Sequence, residues 1–322
     1  MKAFWITPGA AGTRVELRDT PAPEPKAGEI LVRVRGAALN RGELLGGKAG
    51  GPAKAGGGEC AGEIVKLGDG VAGLAVGDRV MGRCGGGFAE LAVMDAREAM
   101  RVPARLSWEE AAATPLVFLV VYDMLVARGH LRTGQWLLVT GISSGVGVAA
   151  LQTAKALEAG VIGTSRSQDK LDRLRPLGLD VGIRTRTADF HEAVMKATDG
   201  KGVNLAVNNV GGSVFAECLR SLAFEGRVAI VGHLDRVMTT PLDLEALHSK
   251  RLTVFGVSNR LRNAAQRAET VRGFVRDIMP FLEDGRLRPA VDKALSFEDL
   301  PTAIAFMESD QQVGKIVVRG PA

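Results

Sequence analysis

The sequence predicts an α/β protein of two domains, a β-rich N-terminal part followed by a doubly wound parallel sheet. Three observations carry that expectation. The 322 residues exceed the usual single-domain size. The first hundred residues read as short strands broken by turn residues, and from Trp108 to Gly256 strand-like and helix-like segments alternate, the mark of a parallel sheet.

In the first part, strands are expected at 2–6, 29–36, 62–67 and 79–82; the alternation I-L-V-R-V-R within 29–36 is the pattern of a half-buried strand. Pro21, Pro23 and Pro25 mark a rigid connector, and the run from Gly46 to Gly58 is so glycine-rich that a mobile loop is expected there. The parallel sheet is expected from strands at 136–140, 161–164, 181–183, 205–208, 228–231 and 253–257. Beyond Asn259 the apolar spacing predicts one helix over 267–283, a second over 300–307 and a final strand at 315–318, elements expected to return to the N-terminal domain.

Composition excludes several function classes. With 46% hydrophobic residues there is ample material for cores, whereas one tyrosine and three tryptophans leave few platforms for stacking single-stranded nucleic acid. The 41 Lys+Arg against 36 Asp+Glu give a net charge of +5, scattered along the chain without a block of like charges. That excess suits an anionic small molecule better than a nucleic-acid footprint. The chain carries no apolar run long enough to span a bilayer and no signal-like core at Met1, so a cytoplasmic protein without membrane contact is expected. Cys60, Cys84 and Cys218 are far apart and odd in number, and His130, His191, His233 and His248 form no ligand cluster, so neither a disulfide framework nor a metal site is expected.

The segment V-T-G-I-S-S-G-V-G, Val139 to Gly147, closes an apolar strand with a Gly/Ser turn and opens a helix. Unpaired N–H groups and the positive end of a helix dipole make such a place a cradle for pyrophosphate. Ile142, Ser144 and Gly147 stand where a G-x-G-x-x-G fingerprint has glycines, but the next apolar strand follows at about 20 residues, as a dinucleotide-binding βαβ unit requires. Ser143, Ser144, Gly145, Val146 and Gly147 are therefore expected at the pyrophosphate, with the Ser144 hydroxyl adding to the cradle. An ordinary strand-turn-helix connection is the alternative.

The second strand ends in Ser165, Arg166 and Ser167, with Lys170 following. An NAD site places a carboxylate there for the ribose hydroxyls; a serine and a guanidinium suit a 2′-phosphate instead. The expected cofactor is NADPH, the alternative being that Arg166 and Lys170 merely solvate a helix start.

The order of motifs resembles the medium-chain dehydrogenase/reductase superfamily, in particular its zinc-free, quinone oxidoreductase-like branch. The resemblance spans essentially the whole chain and rests on A-A-L-N-R (Ala37 to Arg41), G-G-E-C-A-G-E-I-V-K-L-G-D-G-V (Gly57 to Val71), V-G-D-R-V-M-G (Val76 to Gly82), G-G-G-F-A-E (Gly85 to Glu90) and L-S-W-E-E-A-A-A (Leu106 to Ala113). The cofactor turn, V-N-N-V-G-G (Val207 to Gly212) and V-G-K-I-V-V (Val313 to Val318) complete it. It implies a GroES-like β-rich catalytic domain over 1–117, to which 260–322 returns, a Rossmann NADP-binding domain over 118–259, an active cleft between them, and a homodimer formed through the sheet edge near 253–257. Zinc-dependent members place Cys, His and Cys at positions that fall here on Asn40, Gly58 and about Leu116, none of which can bind zinc. Without a Lewis acid, simple alcohol oxidation is disfavoured, whereas a quinone or enone delocalises the charge that hydride addition creates.

The resemblance also suggests site residues. Asn40 would donate to a substrate carbonyl or else close a turn, and Arg41 would stabilise developing negative charge or else pair with Glu43. Asn208 would line the adenosine side, Val231 and His233 follow the next strand at its carboxyl end, and Phe255 and Val257 would hold the nicotinamide amide or form sheet core. Enoyl-thioester reductases of the superfamily carry an acid tyrosine in the loop after Arg41, which is glycine-rich here. The only tyrosine, Tyr122, is expected to pack or touch cofactor. The function implied is NADPH-dependent, zinc-independent hydride transfer to a small-molecule quinone or other α,β-unsaturated carbonyl. Two alternatives stand beside it: an enal/enone or enoyl-thioester double-bond reductase, and a non-catalytic, crystallin-like or RNA-binding NADPH-binding protein.

Overall fold

A computed structural model describes residues 1–9, 12–42 and 52–321. The chain forms two compact units, residues 1–119 with 263–322, and residues 120–262.

The first unit opens with β1 (Lys2–Gly9) and β2 (Gly12–Asp19), an antiparallel pair that the sequence patterns did not reveal beyond β1. β3 (Glu29–Ala38) alternates only in its middle, where Val32 and Val34 are buried and Arg33 reaches solvent; Leu31 is buried as well, so Ile30 to Val32 is covered on both faces. β4 (Lys54–Ala55) adds to the other edge of β1. β5 (Glu59–Leu67), β6 (Arg79–Arg83), β7 (Leu91–Asp95) and β8 (Ala99–Arg101) follow. The glycine-rich run expected to be mobile lies partly outside the described residues, which omit 43–51; its described end is packed in place. Gly57 has φ +96°, and a Cβ on it would meet the Phe88 nitrogen at 2.4 Å, so only glycine fits that approach.

The second unit is a six-stranded parallel sheet of β9 (Trp136–Thr140), β10 (Gly160–Ser165), β11 (Val181–Arg184), β12 (Val203–Asn208), β13 (Leu222–Ile230) and β14 (Thr253–Gly256), in the order β11-β10-β9-β12-β13-β14. The chain starts at β9, winds outward to β11, then returns to the other side of β9, so the strand order reverses between β9 and β12. In such sheets the crevice at that reversal, at the carboxyl ends of the strands, is where ligands bind. Leu137, Leu138 and Val139 are buried, as a strand covered on both faces requires. β14 is an edge strand with Val254 exposed.

The chain then returns to the first unit. A single helix over 267–283 is expected from periodicity, but there are two, Ala264–Asp277 and Met279–Asp284. The first begins earlier because Asn263 and Gln266 form a reciprocal capping box. It ends at Ile278 because Pro280, in the first turn of the second, lacks the N–H that would continue the ladder. β15 (Val291–Leu295), the helix Leu300–Glu308 and β16 (Lys315–Arg319) complete the chain, β16 pairing antiparallel with β3 in the sheet β15-β16-β3-β5-β6-β8, with β7 on β3.

Leu138 sits with Ile162, Phe190, Val194 and Ala206 in the core of the second unit. Leu138→Ala is expected to cost about 2–5 kcal/mol, read as a lowered denaturation midpoint, whereas Val254→Ala on the exposed edge should change stability by less than about 0.5 kcal/mol.

Candidate functional site

The cofactor turn is built by local packing. Gly141 takes φ +62°, and the Ile142 N–H donates to the Thr164 carbonyl at 3.0 Å, fastening the turn to β10. Ile142 stands where the fingerprint has glycine because it is a structural plug. Its side chain is buried and fills the space left by Gly163, where a Cβ would lie 2.3 Å from the Ile142 Cδ1. Gly147 has to be glycine, since a Cβ there would meet the Ile142 carbonyl oxygen at 2.4 Å. Ser144 is the N-cap of the helix Gly145–Ala156, its Oγ accepting from the Gly147 N–H at 3.0 Å. The Ser144 hydroxyl oxygen is therefore committed to the helix, and the expectation that it adds to the cradle is narrowed to its proton. The first-turn N–H groups of Gly145 and Val146 are those a helix leaves without intrahelical partners. This cradle, closed to any Cβ at Gly147, fits a pyrophosphate.

At the end of β10, Ser165 is buried and its Oγ accepts from the Ser167 N–H at 3.2 Å; the Ser167 Oγ in turn accepts from the Lys170 N–H at 3.3 Å, capping the helix Gln168–Leu174. Arg166 is exposed beside them.

Asn208 ends β12 and is turned inward. Its Oδ1 accepts from the N–H groups of Val210 (3.0 Å) and Gly211 (2.9 Å) and from the Thr140 hydroxyl, and its Nδ2 donates to the Gly211 carbonyl at 2.9 Å. Its amide therefore shapes the loop that lines the crevice. Asp235, which sequence reasoning missed, fastens the same loop from β13's side, accepting from the Ser213 hydroxyl and N–H and from the Val237 N–H. Burial raises its pKa, but the Ser213 hydroxyl and these N–H groups outweigh burial and hold the carboxyl below its ordinary value. A Cβ on Gly211 would fall 2.0 Å from the Asp235 Oδ1, which explains the V-N-N-V-G-G glycine. The Val231 N–H donates to the Asn208 carbonyl at 3.0 Å. His233 is exposed at the rim of a cavity of about 220 Å³ lined by Asn208, Phe215, Ile230, Val237 and Met238. Phe255 and Val257 are both buried. The Arg128 guanidinium lies 4.8 Å from the Phe255 ring centroid and also donates to the Gly256 carbonyl. The expected cofactor residues thus gather along the carboxyl edge of one parallel sheet.

In the first unit, Asn40 and Arg41 are engaged differently from the expectation. The Lys315 ammonium donates to the Glu59 Oε1 (2.8 Å), the Asn40 Oδ1 (2.8 Å) and the Leu39 carbonyl (2.9 Å), satisfying all three of its protons. The Asn40 Nδ2 donates to the Glu59 Oε1 at 2.8 Å and, more weakly, to the Ala38 carbonyl at 3.4 Å. The Glu59 Oε2 accepts from the Leu116 N–H at 2.7 Å. Glu59 is 0% and Lys315 5% exposed. Asn40 thus has both amide protons occupied within the protein, chiefly by the distant Glu59 rather than by a local turn. Arg41 pairs with Asp310 and donates to the Met307 carbonyl at 2.8 Å; Glu43, the partner expected from sequence, lies outside the described residues. Lys315 and Glu59 were missed as site residues, although both stand in the quoted motifs, V-G-K-I-V-V and G-G-E-C. Tyr122 is buried.

The alcohol dehydrogenase GroES-like domain family matches residues 26–104, and the zinc-binding dehydrogenase family matches residues 145–272. The chain belongs to the medium-chain dehydrogenase/reductase superfamily. An acryloyl-coenzyme A reductase from Metallosphaera sedula is 29% identical over 94% of this chain and 96% of its own length. Among solved structures, a mycobacterial protein complexed with NADPH superposes with a TM-score of 0.87 at 25% identity over 99% of each chain. An NAD-dependent alcohol dehydrogenase does so with a TM-score of 0.84 at 29% identity, again over 99% of each chain. The chain also matches Streptomyces polyketide synthases, but spans only 4% of the length of one and 14% of another. Among the described residues no group of three or more His, Cys, Asp or Glu is arranged to hold a metal ion, and no helix is long and apolar enough to cross a membrane.

Removing the cation from the buried cluster leaves the Glu59 charge unpaired. Lys315→Met is expected to destabilise the protein by about 3–5 kcal/mol, while the double variant Lys315→Met with Glu59→Leu should recover much of that loss in urea denaturation.

Proposed function

We propose that this protein is an NADPH-dependent, metal-independent reductase of conjugated carbonyl compounds, acting on the C=C bond of an enone or enoyl thioester. One observation carries the reading. Of the three positions at which zinc-dependent members hold their metal, here Asn40, Gly58 and about Leu116, two meet at the Glu59 carboxylate, which accepts from the Asn40 amide and from the Leu116 N–H. An amide, a glycine and a leucine offer no ligand set. A lysine cation and its carboxylate hold this loop, with their polar atoms already spent on one another.

The bound nicotinamide cofactor would supply the hydride. The chain's own residues account for the rest: the Gly147 cradle and the helix start at Gly145 hold the pyrophosphate, Ser165, Arg166 and Lys170 receive a 2′-phosphate, and the loop shaped by Asn208 and Asp235 bounds the crevice. An acceptor whose conjugation spreads the incoming charge needs no Lewis acid, so an end of β3 with few free donors suits it. The full-length similarity to an acryloyl-coenzyme A reductase favours a C=C bond, and an enoyl thioester in particular, over the quinone that sequence patterns alone put first. Quinones share the same charge delocalisation and form the second reading. The exposed β14 edge supports pairing of two copies, and three cysteines with no disulfide among them fit a reducing, cytoplasmic setting.

Stopped-flow loss of NADPH absorbance against enones, enoyl thioesters and quinones tests the proposal. Enones or enoyl thioesters should turn over fastest, and simple alcohols with NADP⁺ should not react. Faster quinone reduction would favour the second reading; no turnover with any acceptor would leave a non-catalytic NADPH-binding protein.

A further inference from the structure

β11 ends in Arg184, and the parallel register of β10 and β11 pairs Arg184 with Ser165. Register partners on adjacent parallel strands project to the same face, with backbones about 4.8 Å apart. Gly163, two residues before Ser165 and therefore on the same face, is the position whose missing Cβ accommodates Ile142 of the cofactor turn. Ser165 and Arg184 thus stand side by side on the face of the sheet over which the turn and the helix Gly145–Ala156 lie. The Thr185 N–H donates to the Ser165 carbonyl at 3.0 Å, which locks the two strand ends together beyond the ladder.

The guanidinium of Arg184 is exposed, and among the described residues it has no carboxylate partner. The one carboxylate of the following loop, Asp189, is occupied by the Thr185 hydroxyl, and that bond is the main cause of its lowered pKa. Arg184 is therefore an uncompensated cation beside a serine hydroxyl at the carboxyl edge of a nucleotide-binding sheet. Most of the other surface guanidinium groups at strand ends, such as Arg101 and Arg319, are paired.

We infer that Arg184 is a specificity-determining residue that clamps the 2′-phosphate of the cofactor from the β11 side, opposite Arg166 and Lys170. A fork of N–H donors there can bond two phosphate oxygens at once, and the same position offers nothing to a free 2′-hydroxyl that water does not. The inference rests on the proposed preference for NADPH and adds a residue that sequence patterns, which stop at the end of β10, do not reach.

Isothermal titration of 2′,5′-ADP and of ADP into the whole protein tests it without turnover. Wild type is expected to bind 2′,5′-ADP more tightly than ADP. Arg184→Ala should weaken 2′,5′-ADP about tenfold and leave ADP within about twofold, with Arg184→Lys recovering part of the loss. If Arg184→Ala leaves 2′,5′-ADP binding unchanged while Ser165→Asp with Arg166→Ala abolishes the preference, the role of Arg184 is refuted and the NADPH reading stands. If wild type binds the two nucleotides equally, both are refuted.

Discussion

The Lys315–Glu59 ion pair is the constraint on which the first unit's functional end depends. It joins residues 256 apart in sequence and, through Asn40 and the Leu116 N–H, ties the ends of β3, β5 and β16 to the start of a helix. Taking an ammonium and a carboxylate out of water is costly, and the mutual attraction repays that cost only when the remaining lone pairs and protons are satisfied. Here three ammonium protons meet three oxygens and both carboxylate oxygens are bonded. Such a cluster tolerates one arrangement of its backbone, which is how a loop that follows a strand can be positioned without a metal.

The second unit solves a related problem with backbone groups. Gly147 and Gly163 leave room for Ile142, whose carbonyl and side chain pack against them and fix the turn. Asn208 and Asp235 spend their polar atoms on the loops around the crevice, so its wall is set before any ligand arrives. The two units thus share a strategy: polar side chains that look available in sequence are used to hold backbone in place.

That strategy also explains what could be read from sequence. The doubly wound sheet was legible because its strands are largely apolar and alternate with helices, and β3 because Val32, Val34 and the arginines between and after them alternate. β2, β4, β7, β8 and β15 were missed, being short or polar-faced strands stabilised by neighbours distant in sequence. The helix over 267–283 was read as one because periodicity continues through Pro280, whose missing N–H divides it. At the site, residue types at the cofactor turn carried their own geometry, as Gly147 and Ser144 show. Asn40 and Arg41 did not, because their partners Lys315 and Asp310 lie more than 250 residues away in the chain. No local pattern distinguishes a lysine in a β-strand motif from a buried cation until the fold brings Glu59 to it.

Hydride transfer to a conjugated acceptor without a metal, as we propose, leaves the Lys315–Glu59 pair to hold the loop at the end of β3. The most direct measurement is the steady-state rate of NADPH oxidation by an enoyl thioester after exhaustive dialysis against a chelator, with residual metal determined by atomic emission. The rate is expected to be unchanged at less than about one metal per hundred chains, with no gain on adding zinc. A rate that falls with the metal and returns with zinc would contradict it.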